Sequence, residues 1–405
     1  MPKRRTILKG LAGALPLSAM GAQAVGSAGS GDAGRDYFRE LGLKKFINAA
    51  GAYSAFGGAR MRPEVVAAMR YAATRKVKMR ELHDAIGGQI ASLVGSDAAM
   101  VTSGATASMV LGTAACMTLG DEDKMRRLPD TTGMRNEVVI QKRHRYTYDR
   151  ALTVPGAKLV EVESEQDVRT LVGNRTAMLF FLKATQKGDD IPAARYTALA
   201  QELGIPSFCD AATTTPPAVN VVAGVSEGFD LICYSGGKGL RGPYSAGLLL
   251  GRRDLIQFAR RHAAPNDISI GRGMKVSAEE YLGMLVALET GLRISEADDF
   301  AWKRERFEVI IDAVRDIPGI ATRVFVSAGH ANELYLDIDW DEDVIDIGRE
   351  EFVRELRDHD PSVEVRAFLF SGGRIHLSAT VLDEGEDAVV GDIIRKVLLA
   401  RLTNA

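Results

Sequence analysis

The chain has 405 residues, of which 46% are hydrophobic, and carries 51 basic side chains against 53 acidic ones. That composition can bury one large core or two unequal ones, and the net charge of −2 excludes the basic footprint of a protein devoted to nucleic acid. No apolar run is long enough for an ordinary transmembrane helix, so no stable membrane association is expected.

The N-terminus reads as an export signal. Basic "KRRTILKG" is followed by the mildly apolar "LAGALPLSAMGAQA", with Ala22 and Ala24 in a cleavage-type spacing. Arg4-Arg5 gives the signal its twin-arginine form, which implies passage through that export machinery to the periplasm or the extracellular space. The competing reading is a tail whose paired arginines are accidental. Residues 1–30 are therefore set aside as signal and linker, and 31–60 are expected to form an N-terminal arm near the active site.

Helical and strand-like patterns then alternate. Pro63 and Glu64 suit a first helical turn, and "MRELHDAIGGQIASLV" predicts a second helix ended by Gly95. Strand-like "AAMVTSG", an Ala-rich helix to Gly120, and strands "EVVIQ", "KLVEV" and "AMLFFLK" follow. A helix opened by Pro192 leads to strands "PSFCDA", "LICYSG" and "AGLLLG". Short apolar strands separated by helices predict a mostly parallel sheet covered on both faces. A long helix through "SAEEYLGMLVALETGLRI" then bridges to a different texture. "NELYLDIDW", the charged helix "GREEFVRELRDH", strands "SVEVRAFLF" and "RIHLSATV" and a terminal helix predict a small α+β domain with an antiparallel sheet. The expected domains are 61–295 and 296–405. Cys116, Cys209 and Cys233 sit in apolar stretches without metal-type spacing and read as core thiols.

The stretch "CYSGGKGLRGPYSAG" (233–247) sets Lys238 in a run of glycines. It could be a phosphate loop, a Schiff-base lysine or a surface turn. A Walker-type loop needs glycine five residues before the Gly-Lys pair and Ser or Thr after it. Ile232 and Gly239 stand there, so that reading fails. A lysine that forms a Schiff base with pyridoxal phosphate needs an acid for the pyridine nitrogen, a phosphate cradle and a group against the ring face. Asp210 ends strand "IPSFCD", 28 residues before Lys238, where a strand's C-terminal end opens into the crevice of an α/β sheet. "TSGATAS" follows a strand and opens a helix, so Ser103, Gly104, Ala105 and Thr106 can present N–H groups and hydroxyls to a phosphate. Ser235 can add a hydroxyl, and His144, after "EVVIQ", can stack on the ring. Singly, each has a plain alternative: Asp210 as a turn residue, "SGAT" as an ordinary helix start, His144 as a surface histidine. The four in this chain order are much harder to obtain by accident.

The motifs "INAAGAYSAFGG", "VTSGATASMVLGTAACMT", "LPDTTGMRNEVVIQKRHRYTYDRAL", "DAATTTPP", "YSGGKGLRGPYSAGLLLGRRDLI" and "GRGMKVSAEEYLGMLVALE" together resemble the fold-type I pyridoxal-phosphate enzymes of the selenocysteine synthase-like group, which includes D-glucosaminate-6-phosphate ammonia-lyase. The resemblance spans roughly residues 40–295. It implies a seven-stranded, mostly parallel sheet in the large domain. Lys238 would be the Schiff-base lysine, Asp210 the pyridinium partner, and Ser103–Thr106 with Ser235 the phosphate site. It further implies a homodimer or higher oligomer with active sites at the subunit interface. An export signal is foreign to a selenium transferase, whose charged tRNA is cytoplasmic.

For an amine substrate's carboxylate, a bidentate arginine is the natural partner. Arg374 in "GGRIHLS" is one candidate, with a solvated strand arginine as its alternative. Arg272 and Lys275 in "GRGMK" are another pair, with a basic interface loop as theirs. Asn48, Gly51 and Tyr53 of "NAAGAYS" form either the pocket rim or a structural turn. His83 and His376 are most simply core or surface histidines, and no cluster has metal-ligand spacing. The expected reaction is an α,β-elimination on an amino acid or amino sugar acid. Lys238 removes the α-proton, and ammonia and a keto acid are the products. Racemase, aldolase and aminotransferase chemistry, a selenium or sulfur transferase on seryl-tRNA, and an exported non-catalytic binding protein of the same fold are the alternatives.

Overall fold

The computed structural model describes residues 35–183, 190–327, 333–366 and 375–403; the expected export signal lies outside the described residues. In the short unit ending at Lys44, Tyr37–Glu40 is a single helical turn with Asp36 accepting the N–H of Arg39 at 3.2 Å.

In the unit from Lys45 onward, β1 (Phe46–Asn48) is set apart from the large sheet, which contains β2 (Ala98–Thr102), β3 (Glu137–Gln141), β4 (Lys158–Val162), β5 (Thr176–Leu182), β6 (Ser207–Asp210), β7 (Leu231–Ser235) and β8 (Gly247–Gly251). Their spatial order is β2-β8-β7-β6-β5-β3-β4. All pairings are parallel except those of β8, which runs against both β2 and β7. β5 is buried at all seven positions, and its side chains alternate between two apolar clusters. Leu179 and Phe181 join one face with Cys209 and Ile232, and Met178 and Phe180 join the other with Phe208 and Leu231. That is why these strands read as continuous apolar runs rather than alternating ones. The expected α/β class with a mostly parallel seven-stranded sheet is what the chain adopts.

The C-terminal part adds β9 (Ile320–Val326), β10 (Leu334–Trp340), β11 (Ser362–Glu364) and β12 (Ile375–Ser378). β12-β10-β9 form an antiparallel sheet, packed by helices Glu296–Val314 and Glu386–Leu399 through Phe307, Ile310, Leu336 and Ile394. Three details depart from the sequence expectation. The bridging helix ends at Gly291, and a separate helix, capped by the Ser295 hydroxyl, runs over Glu296–Val314. β9 is an additional strand. The strand expected over 362–370 is β11 over Ser362–Glu364, which pairs in parallel with β1, and the segment touches the antiparallel sheet only at Arg366, bridged to His376, among the described residues. The cause is the N-terminal segment. Ala49 N–H donates to Glu364 O at 2.9 Å while Ala49 O accepts from Ser378 N–H at 2.8 Å, so residue 49 intervenes between β11 and β12. Ile47 and Ala49 accordingly belong to the C-terminal core.

A buried ionic group ties this part together. Lys303, 1% exposed, lies 3.0 Å from Glu333 and 2.6 Å from Asp299, and Glu333 also accepts from the hydroxyls of Ser378 and Thr380. Removing one member leaves an uncompensated buried charge. Lys303→Ala is therefore expected to lower stability by about 3–5 kcal/mol, read as a drop in the urea midpoint of unfolding; an unchanged midpoint would show the group to be solvated.

Candidate active site

Parallel strands end at one edge of the sheet, and the site is built there. Register sets its parts abreast. Gly247 at the start of β8 pairs with Thr102 on one side and Ser235 on the other, while Asp210 pairs with Cys233. Ser103, Ser235 and Asp210 thus emerge from one edge of β2, β7 and β6.

Ser103 precedes helix Gly104–Thr118 and makes no side-chain cap hydrogen bond. The first N–H groups of this 15-residue helix have no intrahelical partner, and Gly104, at φ +87°, takes a conformation that side chains rarely adopt. Ser103 and Gly104 are half-buried, Ala105 is buried and Thr106 is exposed. The turn therefore leaves backbone N–H groups uncapped at this edge of the sheet.

Asp210 is 4% exposed. Its Oδ1 accepts from Ala212 N–H at 2.9 Å and lies 3.7 Å from the Cys233 thiol. Its Oδ2 accepts from the Tyr146 hydroxyl, which also lies 3.2 Å from Met109 Sδ. Burial, then the Asp210 charge, pushes the Tyr146 phenol well above its ordinary range, so it stays a donor. Tyr146 is a site residue that sequence reasoning missed. It lies in the loop after β3, which is separated from β6 by β5, and only the strand order shows that this loop brings its hydroxyl to Asp210.

Lys238 sits on the tight turn 236–240. Among the described residues, no hydrogen bond or ion pair engages its amine. Burial depresses its pKa below the ordinary 10.5, partly opposed by the Asp210 carboxylate and the Cys233 thiol. The turn is held closely. A side chain at Gly239 would place Cβ 2.0 Å from Pro216 N, so glycine is needed for the approach to "TTTPP". Ala59 N–H donates to Gly237 O at 2.7 Å, and the Tyr244 hydroxyl donates to Ser54 O at 3.2 Å.

His144 requires correction. Its ring is 0% exposed, packs edge-on against Phe181 at 4.6 Å and accepts the Leu182 N–H through Nδ1 at 3.1 Å. Nε2 points toward Asp190, 3.5 Å away. β5 lies beside β3 and covers the ring, so His144 has no face to offer a cofactor. Burial lowers its pKa, with Asp190 opposing.

Of the substrate-side residues, Tyr53 stands in the segment 53–59 that lies against the lysine turn. Arg366 donates to its hydroxyl and stacks over the rings of Tyr53 and Tyr335 at 5.0 and 4.8 Å. Asn48 organises the turn itself, accepting from Ala50 N–H at 3.0 Å and donating to Gly51 O at 3.0 Å, so the structural alternative holds for it. Arg272 lies 3.7 Å from Asp267 and Lys275 is exposed; among the described residues, no contact joins either to Lys238 or Asp210. Arg374 lies outside the described residues. His83 and His376 are core residues: His83 lies 2.5 Å from the Tyr281 hydroxyl, and His376 is paired with Asp337. All three cysteines are free and buried.

The residues present fit pyridoxal phosphate: a buried carboxylate for the ring nitrogen, an uncapped helix start for the phosphate, and an unengaged, half-buried amine. No family model matches the chain. It is 29% identical to a 5'-C-glycyluridine monooxygenase-decarboxylase from a Streptomyces species over 369 residues, covering 87% of this chain and 90% of that one. It is 26% identical to the D-glucosaminate-6-phosphate ammonia lyase of Salmonella typhimurium over 390 residues, covering 89% and 97%. A solved D-glucosaminate-6-phosphate ammonia-lyase superposes with a TM-score of 0.79 at 25% identity, covering 91% of this chain and 99% of that one. The chain has the fold of the fold-type I pyridoxal-phosphate enzymes and is similar along most of its length to the D-glucosaminate-6-phosphate ammonia lyases.

Proposed function

We propose that the protein is a pyridoxal-phosphate-dependent lyase acting on an amino acid or amino sugar acid. The observation that carries this reading is the unengaged, half-buried Lys238 amine on its rigid turn, in the field of Asp210. Asp210 would hold the cofactor's ring nitrogen, and Ser103–Thr106 with Ser235 its phosphate. When bound, pyridoxal phosphate supplies a carbonyl that condenses with amines and a ring that delocalises negative charge. Lys238 Nζ, with its depressed pKa, is neutral over a wider pH range than an ordinary lysine, which lets it act as nucleophile and as proton carrier. Tyr146 and Ala212 fix the two Asp210 oxygens, so the carboxylate is already oriented. Tyr53 and Arg366 stand at the substrate side of the turn, and Arg272, Lys275 and Arg374 remain candidate carboxylate partners.

Purified protein supplied with pyridoxal phosphate and a panel of amino acids and amino sugar acids of both hands is expected to release ammonia and a keto acid in equal amounts. A second reading, oxidative decarboxylation, is favoured by the similarity to the monooxygenase-decarboxylase; release of carbon dioxide with uptake of oxygen would select it. Absence of both products across the panel would favour the non-catalytic alternative.

The paired Arg4-Arg5 ahead of an apolar run supports twin-arginine export of this enzyme. Cell fractionation should find it outside the cytoplasm, and Arg4→Lys with Arg5→Lys should retain it; equal distribution of both forms would refute export. Exposed Tyr71 and Val77, 56% and 57% accessible, support a homo-oligomer, for which sedimentation at monomer mass would be the contrary result.

A further inference from the structure

A cleft of about 290 Å³ opens beside the lysine turn, lined by Arg62, Arg241, Trp302, Thr380, Pro216 and Gly239, with Asp298 and Asp299 on one wall. Neither Lys238 nor Asp210 lines it. Its two guanidiniums are held in place by backbone rather than by acids. Arg62 donates to Leu240 O at 3.0 Å, and Arg241 donates through Nε to Arg60 O at 3.0 Å. Among the described residues, neither guanidinium forms an ion pair with a carboxylate. The two aspartates are already used: Asp299 is the partner of Lys303 at 2.6 Å, and Asp298 accepts from the Ser295 hydroxyl at 2.7 Å. A third guanidinium, Arg306, lies over the Trp302 ring at 3.8 Å.

Like charges gathered in a half-buried cleft repel one another unless an anion joins them. Burial and then the neighbouring Arg62 depress the Arg241 pKa to about 10, even with the Asp299 carboxylate opposing the shift. Arg241 is also one of two residues other than glycine with positive φ among those described, at +54°. Such backbone conformations persist where surrounding structure over-determines them, often at ligand clamps. Its N–H donates to Lys238 O at 2.9 Å, so the clamp and the lysine share one turn.

We propose that the cleft between Arg62 and Arg241 binds a small oxyanion, a carboxylate or a tetrahedral phosphate or sulfate, through their free N–H donors. Planar guanidiniums suit either shape by paired hydrogen bonds. The site stands on this geometry alone and does not depend on the lyase reading.

The test is equilibrium dialysis of radiolabelled inorganic phosphate against protein saturated with pyridoxal phosphate, at constant ionic strength in chloride, with acetate and sulfate as competitors. Saturable binding of one phosphate per chain is expected. It should weaken at least tenfold in Arg62→Gln and in Arg241→Gln, and remain unchanged in Arg126→Gln, which removes an exposed arginine outside the cleft. Far-UV circular dichroism identifies any variant that fails to fold, and either arginine variant alone suffices. Displacement by sulfate but not acetate assigns a tetrahedral anion; displacement by acetate assigns a carboxylate; either supports the site. Absence of saturable binding by phosphate or by labelled acetate, or binding kept undiminished in the folded Arg62→Gln and Arg241→Gln variants, would overturn it. A failed lyase assay with phosphate binding intact would sink the function and leave this site standing.

Discussion

Lys238→Ala is expected to abolish turnover, by on the order of 10³-fold or more, because the residue that would carry the proton is removed. The same change should not destabilise the cofactor-free protein. The Lys238 pKa is lowered in the folded chain by burial, so between that value and the ordinary 10.5 the unfolded chain binds more protons than the folded one. Stability therefore rises with pH through that window, and the full penalty of burying the charge is present below it. Lys238→Met should be at least as stable as the parent at neutral pH, with the difference shrinking as pH approaches 10.5. An inactive variant of undiminished stability separates a catalytic lysine from a structural one. Stability lost on substitution, measured by urea unfolding of the cofactor-free proteins, would instead make Lys238 a member of the fold.

Asp210→Asn should be the second large loss. The amide preserves the shape and the oxygen that accepts from Ala212 N–H, while it deletes the charge and turns the acceptor facing the Tyr146 hydroxyl into a donor. Removing a preorganised electrostatic partner costs about 10²–10³-fold in turnover, and Asp210→Asn is expected to fall in that range with its circular dichroism unchanged. Tyr146→Phe keeps the charge and removes one hydrogen bond to it, so a loss of about tenfold is expected. A Tyr146→Phe loss as large as that of Asp210→Asn would mean that the phenol touches the reacting groups itself. Comparable activity of Asp210→Asn and the parent would remove the pyridinium role.

The parts of this site that could be read from sequence are those whose local pattern carries the chemistry. Asp210 closes an apolar strand, Lys238 stands in a glycine turn, and "TSGA" sits between a strand and a helix, so each announces its position without knowledge of neighbours. The parts that could not be read depend on strand order. His144 follows a strand just as a ring-stacker would, but β5 beside it supplies Phe181 and the Leu182 N–H that absorb the ring. Tyr146, two residues on, reaches Asp210 instead. β9 is not legible in the sequence because "IATRVFV" is only half-buried along its length and its pairing with β10 is needed to make it a strand. The role of residues 46–49 is hidden for the same reason, since β1 pairs with a segment more than 300 residues away. Lys303 and Glu333 are 30 residues apart, and neither sits in a pattern that betrays a buried ion pair.

The most direct test of the central claim is borohydride reduction of the purified protein with bound pyridoxal phosphate, followed by peptide mapping. A Schiff base at Lys238 predicts a visible absorption band that reduction bleaches, with one phosphopyridoxyl group per chain on the peptide containing that lysine. No visible band after addition of the cofactor, or the label on another lysine, would contradict it.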